Sequence, residues 1–495
     1  MVFPSRRDEA ATPTGSVDRD GRADVSERSA RSPWVVTWTV LAGSFALGVN
    51  FTILAVSRPA IAADLDVDAS TLVWLISGPI LANALVTPTA GKLGDLRGHR
   101  PTYLIGLVGS VVFAVVSALA PGAGWLVGSR IAGAVVGGAI GPSAMAIINL
   151  TFEPHRRARA LGYWSLVGAG GPVVGLVVGG PLVDAFGWRT IFWGQVPLMA
   201  LALVLAWRIL PDTPRATDAR FDVAGTVALS VGLVGLLVAA ERGRVWGWGS
   251  WPTVATLVGG TAALVAFARV EARVAEPLLP LRYFRRRTFV VPLVVLLFAQ
   301  FGYMGGFILA PKLLAELDGR TAAQTSLLLV PRPLTFALAG VLAGYGVARI
   351  GSRRIAVVGA VAVVVSLLGM AWTTSDVDLV SVVVAIALSG LGMGMAQPTI
   401  SASIANSVDD RDLGVAGAAS QMVAQVATSL GMNVVDALQA ASVAALGTAG
   451  SYRRAYVVAA VVTAAAVVAA TRLAPSGRDR GRAERPAPDG VELST

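Results

Sequence analysis

GKLGDLRGHR, residues 91–100, is the stretch whose reading decides the fold. It is charged, and it separates two apolar runs, 71–90 and 101–120, each long enough to cross a bilayer, so the chain must turn here at a membrane surface. Gly91, Gly94 and Gly98 let two helix ends approach closely. Asp95 stands among Lys92, Arg97 and Arg100, where a carboxylate can hold the neighbouring cations or cap the N-terminus of the next helix. That is the chemistry of a latch; the alternative is a basic turn that only sets topology.

Composition carries the same message over the whole chain. The 495 residues are 55% hydrophobic and 14% charged, with a mean hydropathy of +0.68, which excludes a soluble globular protein and predicts an all-α polytopic membrane protein. The net charge of +10 would suggest nucleic acid in a soluble protein, but the arginines fall in short loops and tails, where they set orientation. No nucleic-acid partner is expected. The absence of cysteine excludes disulfides, thiolate nucleophiles and cysteine metal sites, and His99 and His155 both fall in predicted loops, so neither a metal nor a bound cofactor is expected. Residues 1–33, which alternate acidic residues with arginine, and 474–495 are expected to be disordered cytoplasmic tails.

Apolar runs at 34–57, 71–90, 101–120, 125–150, 160–183 and 190–210 make up a first half, 34–210. The linker region 211–287 holds two inserted runs, 222–240 and 252–270, with Trp246, Trp248 and Trp251 between them as an interfacial aromatic belt. The second half, 288–473, contains 289–311, 322–344, 355–373, 379–403, 413–437 and 456–473. Trp34 and Trp38 anchor the inner end of the first run, and Pro101 suits the first position of the third helix. About fourteen crossings with arginine-rich loops inside place both termini in the cytoplasm. An internal repeat supports two halves: GYGVARIGSR, 344–353, aligns with 91–100 at Gly344, Gly351 and Arg353, with Ala348 in the place of Asp95.

The pattern G-x-L-x-D-x-x-G-x-R of residues 91–100 resembles the loop between helices 2 and 3 of the major facilitator superfamily. Trp74, Pro88, Arg130, Gly187-Trp188-Arg189, Phe192 and Pro197 extend the likeness, as do Glu276-Pro277-Leu278-Leu279-Pro280-Leu281, Arg282 and Phe284. Together they resemble the fourteen-helix drug:proton antiporters of the EmrB/QacA type. The resemblance implies a major facilitator fold that alternates access to a central cavity. In it, Gly91, Asp95, Arg97, Gly98 and Arg100 form a cytoplasmic gate that stabilises the outward-open state by charge contacts between halves. It also implies a multi-pass plasma (inner) membrane protein, expected to act as a monomer on a small molecule and protons, with the proton gradient as energy source.

Gly168, Gly170, Gly171, Pro172, Gly175, Gly179 and Gly180 resemble the family's helix 5 antiporter motif, which implies a tight, bendable contact between halves; Leu176 stands where the family has a proline. Helix packing without a mechanistic role is the alternative. Arg130 matches an arginine of the family's fourth helix, implying proton relay or substrate contact, with snorkelling to the surface as the alternative. Asn50 occupies the position of the family's titratable aspartate in helix 1, and an amide carries no proton at physiological pH. Asp436 is then the best remaining carboxylate, and its pairing with Arg332 is expected. Arg332 could instead bond carbonyls freed by Pro331 and Pro333. Polar stripes at Asn83 and Thr87, at Gln300, Tyr303 and Phe307, and at Gln421, Gln425 and Thr428 either line a pathway or glue helices together.

The expected function is proton-coupled efflux of amphipathic drug-like or antibiotic compounds. An uncoupled facilitator or uptake permease is the alternative that Asn50 motivates, and a membrane sensor or structural protein is the alternative outside transport. No enzyme is expected, because no nucleophile–base pair or phosphate loop is present in the sequence.

Overall fold

In the computed structural model the described residues are 32–67, 72, 74–214, 222–247, 249–274, 280–374 and 377–474. The two tails, Trp248 and Glu276 to Leu279 lie outside them. All regular structure among the described residues is helical, as hydrocarbon requires of a chain that must satisfy its own backbone donors and acceptors. A first group of helices comprises α1 (Pro33–Val56), α2 (Arg58–Asp64), α3 (Trp74–Arg97), α4 (His99–Ala118), α5 (Ala123–Gly137), α6 (Ile140–Thr151), α7 (Pro154–Phe186) and α8 (Arg189–Ile209). Then come α9 (Val223–Trp246), α10 (Trp251–Glu271) and the short α11 (Leu281–Phe284). A second group comprises α12 (Arg287–Leu317), α13 (Ala322–Leu329), α14 (Pro331–Ile350), α15 (Ser352–Thr373), α16 (Leu379–Ala405) and α17 (Leu413–Ala470). Ten helical stretches among the described residues are long and apolar enough to cross a membrane.

Several boundaries differ from the sequence expectation. Residues 91–97 are not a loop: α3 stays helical through Arg97 and only Gly98, with φ 98°, separates it from α4, so Pro101 is the third residue of α4 and not its first. The fourth run is interrupted between α5 and α6, and the tenth at Val330, where Pro331 and Pro333 supply no backbone N–H to the preceding turn. The last two runs extend until they meet in α17, which breaks at Gly447 with φ 69°.

The repeat is visible in the backbone. Gly351 joins α14 to α15 with φ 86° and ψ 153°, matching φ 98° and ψ 141° at Gly98. This region is nearly closed to residues with a Cβ, at a cost of about 1–3 kcal/mol. Gly98→Ala should therefore lower the thermal unfolding midpoint of the purified protein, whereas Gly122→Ala, at an extended φ of −168° with open space around it, should not. Equal midpoints for the two variants would remove the argument.

Within the first group α1 packs on α7, α4 on α8 and α3 on α5; within the second α12 packs on α17 and α16 on both α14 and α15. The groups meet through α7 with α14, α3 and α6 with α17, and α16 with α7. The inserted helices α9 and α10 join each other at a glycine seam, where a Cβ on Gly235 would lie 2.8 Å from Gly260 Cα. Helix α9 touches both groups: Ser230 Oγ donates to the Leu85 carbonyl at 3.2 Å, and Leu229, Leu233 and Leu237 are buried in the core of the second group. Trp251, 80% exposed, and Trp246, 39% exposed, leave their rings available to an interface.

Candidate gate and transport site

Asp95 is 7% exposed at one end of the bundle, the latch end. Its partners are not Lys92, Arg97 or Arg100. Oδ1 accepts from the backbone N–H of Gly414 at 2.8 Å and Oδ2 from that of Val415 at 3.0 Å, while His99 Nε2 lies 3.0 Å from Oδ1. It therefore caps a helix, but that helix is α17 of the other group and not the next one in the chain. The first-turn N–H groups of α17 need such a partner because Asp412, at its cap position, makes no side-chain cap bond. The Asp412 carboxylate is taken instead by Tyr283 Oη at 2.6 Å and Arg282 Nη2 at 2.9 Å, which tie the end of the linker to the same corner. Gly91 and Gly414 make the approach possible: a Cβ on Gly91 would lie 2.6 Å from Gly414 O, and one on Gly414 2.5 Å from Gly91 O. Arg97 is exposed in the last turn of α3, and Arg100 bonds Asp212 at 2.7 Å and the Trp207 carbonyl at 2.8 Å. His99, expected in a loop, is buried beside Asp95.

The repeat forms a second contact at the same end. A Cβ on Gly344 would lie 2.7 Å from Arg159 Cα, and Gly340 packs on Gly162 and Ser165, so α14 and α7 touch backbone to backbone. With Ala348 in the place of Asp95, no carboxylate of α14 serves here; basic residues of α7 do instead. Arg157 Nη1 donates to Asn406 Oδ1 at 3.1 Å and Nη2 to Asp410 Oδ1 at 2.9 Å, bridging the groups. Arg159 Nη2 donates to Tyr345 Oη at 2.7 Å, and its guanidinium lies over the Tyr345 ring at 4.1 Å and the Trp34 ring at 5.0 Å. From the sequence these arginines are expected only to set topology; their place in the chain carries no sign of partners 253 residues away for Arg157 and 186 for Arg159.

The opposite end is built differently. Its buried cluster, with Ile53, Leu54, Leu75, Leu126, Val183 and Phe192, draws only on the first group among the described residues. Gly187, with φ 77°, turns the chain so that Trp188 Nε1 and Arg189 Nη1 both donate to Asp64 Oδ2, at 2.8 and 2.7 Å. These two bonds hold the Asp64 carboxyl below its usual range, so the clasp is complete at neutral pH and is lost as pH falls through that lowered value.

The helix 5 motif lies between α7 and α1 of the same group, contrary to the expected contact between halves. A Cβ on Gly171 would lie 3.0 Å from Phe45 O and 3.2 Å from Gly48 Cα, and one on Gly179 would lie 2.8 Å from the Ile53 side chain. Gly168 faces open space, Gly175 is buried and Gly180 is helical. Pro172 lies inside α7 against Gly48.

Between the two ends lie the remaining candidates. Asn50 is 3% exposed, and neither Oδ1 nor Nδ2 has a hydrogen-bond partner among the described residues. Arg130 lies 5.7 Å from the centre of the Phe192 ring with Nε buried and unbonded. Gln421 Nε2 and Gln425 Oε1 are likewise buried without partners, and Gln421 packs on Gly141 across the groups. Gln300 instead glues helices, its Nε2 donating to Thr428 Oγ1 at 3.0 Å, and Asn83 Oδ1 accepts from Thr87 Oγ1 at 3.0 Å within α3. The expected pair of Arg332 with Asp436 does not form: Arg332 Nη2 donates to the Tyr303 carbonyl at 2.6 Å, while Asp436 is paired with Lys312. Lys312 was missed because it stands one residue beyond the run 289–311, whereas α12 continues to Leu317 and carries it along the face turned to α17.

The profile of the Major Facilitator Superfamily matches residues 40–432. Among curated relatives, the chain is 31% identical over 413 residues to the tetracenomycin C resistance and export protein of Streptomyces glaucescens, covering 83% of this chain and 77% of that one. It is 26% identical over 407 residues to the multidrug transporter protein MdtP of Bacillus subtilis, covering 82% and 74%. It is also 31% identical over 307 residues to the puromycin resistance protein pur8 of Streptomyces alboniger, covering 62% and 61%. Among solved structures, the human organic anion transporter MFSD10 superposes with a TM-score of 0.63 at 17% identity, covering 89% of this chain and 100% of that one. The proton:xylose symporter XylE gives 0.63 at 14%, covering 88% and 94%.

Proposed function

We propose, from the premise that this chain belongs to the major facilitator superfamily, that it exports drug-like or antibiotic compounds by alternating access between its two helix groups. The observation that carries the reading is the one-sided closure. Among the described residues, the polar contacts between α3, α6 or α7 and the second group, from Asp95 to Gly414 and Val415 and from Arg157 to Asp410, gather at the latch end. The cluster at the opposite end stays within one group. A transporter whose halves are bonded to each other at one end, while the core at the other end stays within one half, is poised to exchange substrate with one side of the membrane.

The finer assignments follow the same reading. Counting α5 with α6, α13 with α14, and α17 as two spans across Gly447, the helices that cross number about fourteen, which fits a drug:proton antiporter of the EmrB/QacA type. The arginines at 97, 100, 157, 159 and 282 belong to the latch end, which supports reading that end as the cytoplasmic one with both termini on that side; the likeness to bacterial exporters supports the plasma membrane. The resistance proteins to tetracenomycin C and puromycin among the relatives support amphipathic antibiotic-like compounds as the substrate class. Accumulation of a compound panel in cells with and without the protein tests this. Lower accumulation that an uncoupler reverses supports coupled efflux, lower accumulation that it leaves unchanged supports the facilitator that Asn50 favours, and no difference removes the export reading.

If protons drive the cycle, Asn50 cannot carry them and Asp436 does, with Lys312 as counter-ion. The same two helices carry Glu316, bonded by Tyr452 Oη at 2.8 Å, and Arg454, bonded to Ser442 at 3.4 Å. Protonation of Asp436 breaks its ion pair with Lys312 and so weakens the hold of α17 on α12. Asp436→Asn should therefore abolish transport driven by a pH gradient in proteoliposomes while leaving substrate exchange at equal pH. Asn50→Asp, by adding a second titratable group, should alter the pH profile. Gradient-driven transport by Asp436→Asn at the wild-type rate would remove Asp436 from coupling.

A further inference from the structure

The second helix group contains a cation that the latch, the cap and the coupling carboxylate do not use. Arg332 is 5% exposed, in the second position of α14, just past the break at Val330. Its place is about 18 Å along α14 from Gly344 at 1.5 Å per residue, well away from the latch end. Among the described residues, one of its five N–H donors bonds a protein acceptor, the Tyr303 carbonyl. The guanidinium lies 3.7 Å from the centre of the Tyr303 ring and 4.2 Å from that of Phe307, and Tyr303 in turn stacks on Phe336 at 6.0 Å. The ionisable groups facing it are the phenols of Tyr303 and Tyr456, and no carboxylate bonds it among the described residues.

Beside it is a cavity of about 20 Å³, room for one small polar group, walled by Tyr303, Phe307, Ser366, Ser389 and Tyr456 as well as Arg332. The wall hydroxyls divide by chemistry. Ser366 Oγ donates to the Ala385 carbonyl at 2.6 Å and Ser389 Oγ to the Ile386 carbonyl at 2.7 Å, so their protons are spent. Among the described residues Tyr456 reaches only the Gly306 carbonyl, at 3.4 Å, and its proton is available to a better acceptor. The strong donors left on the cavity wall are those of Arg332 and the phenols of Tyr303 and Tyr456.

We propose that this cavity is the anion subsite of the transport site and takes the carboxylate of an aromatic acid. A buried guanidinium in hydrocarbon is costly until an oxyanion accepts from its planar fork, and the fork matches a carboxylate in geometry and charge. The two aromatic rings attract the cation without accepting its N–H groups in ordinary hydrogen bonds, which leaves those groups for the ligand apart from the one bonded to the Tyr303 carbonyl. Leu367, Met370 and Ile386 complete the wall around that group, an apolar setting that suits a charged end carried on an apolar body lying outside the cavity. The wider charge pattern agrees. Arg130 also has no bonded carboxylate among the described residues, Asn50 removes the acidic group from helix 1, and the carboxylate of Asp436 is neutralised by Lys312. Such an interior repels cations and selects anions or neutral compounds. This assignment deepens the export reading, since the bound anion is the exported compound.

The test is ligand-linked thermal stability of the purified full-length protein in detergent. The probes are 1-naphthoate, the uncharged 1-naphthalenemethanol and chloride. The wild type should show a saturable rise in unfolding temperature with naphthoate that the alcohol and chloride do not produce. Arg332→Gln should weaken naphthoate at least about tenfold, Arg332→Lys should weaken it less, and Tyr456→Phe, which keeps the charge and the fold, should weaken it by about twofold to tenfold. Equal response of the wild type to acid and alcohol, or unchanged affinity in both Arg332→Gln and Tyr456→Phe, overturns the proposal. A chloride response equal to that of naphthoate also overturns it, by reducing the site to one for small anions. The accumulation experiment separates the two readings: export without acid selectivity removes this subsite alone, whereas acid binding without export removes the efflux reading.

Discussion

Asp95→Asn is expected to reduce transport at least about tenfold while the protein still reaches the membrane in normal amounts. Asp95 offers two anionic oxygens to two N–H groups of another helix, and hydrogen bonds to a charged acceptor are worth about 1.5–3 kcal/mol each. Asparagine keeps one acceptor and turns an NH2 donor towards a donor, so one bond is lost and a mismatch is added. The attraction of the carboxylate for the positive end of α17 disappears as well. A loss of about 3 kcal/mol moves the balance between closed and open latch ends by roughly a hundredfold. Because the bonds are made only when that end is closed, folding and insertion lose little. Efflux from cells, read against protein amount in the membrane, gives the first measurement. The second uses spin labels on cysteines at His155 and Arg353, both exposed at the latch end on opposite groups, in a chain that has no cysteine of its own. The label separation should lengthen in Asp95→Asn. Near-normal efflux with an unchanged separation would remove the latch.

Gly344→Val should have a comparably large effect through sterics alone. The added Cβ would lie 2.7 Å from Arg159 Cα and 2.8 Å from the Ala158 carbonyl, and backbone atoms cannot rotate away as a side-chain end can. Helices α7 and α14 must then separate, at a cost of about 1–3 kcal/mol for overpacking, and the latch end closes only rarely. Transport should fall about tenfold or more, and the same label pair should again report an open latch end. Gly346→Val is the control: a Cβ there would meet only the tip of the Ile355 side chain, at 3.0 Å, and transport should change little. Equal activity of the two variants would show that α7 and α14 need not touch during the cycle. The variants also distinguish electrostatic from steric closure, because restoring a carboxylate at position 95 by Asp95→Glu should recover part of the lost activity, whereas no charge change relieves Gly344→Val.

The class of protein was legible in the sequence because lipid leaves few choices. Apolar runs of bilayer length must be helices, and arginines between them must lie at a surface, so composition and spacing suffice. The repeat was legible for a related reason: Gly98 and Gly351 occupy a backbone region that other residues avoid, and that requirement shows in the residue type itself. Asp95 stood out as a lone carboxylate among cations. Its partner could not be foreseen, since the N–H groups it caps lie 319 and 320 positions away and belong to Gly414 and Val415, whose side chains carry no signal for that bond. The same limit applies to Lys312, which reaches Asp436 across 124 positions, and to Arg157, which reaches Asp410 across 253. Arg332 shows the limit most sharply. Its type and its flanking prolines marked it as unusual, yet whether a buried cation meets a carboxylate, a carbonyl or an aromatic face depends on which helices are its neighbours. Periodicity says which residues leave the water; the packing of α12, α14 and α17 alone determines what each one meets there.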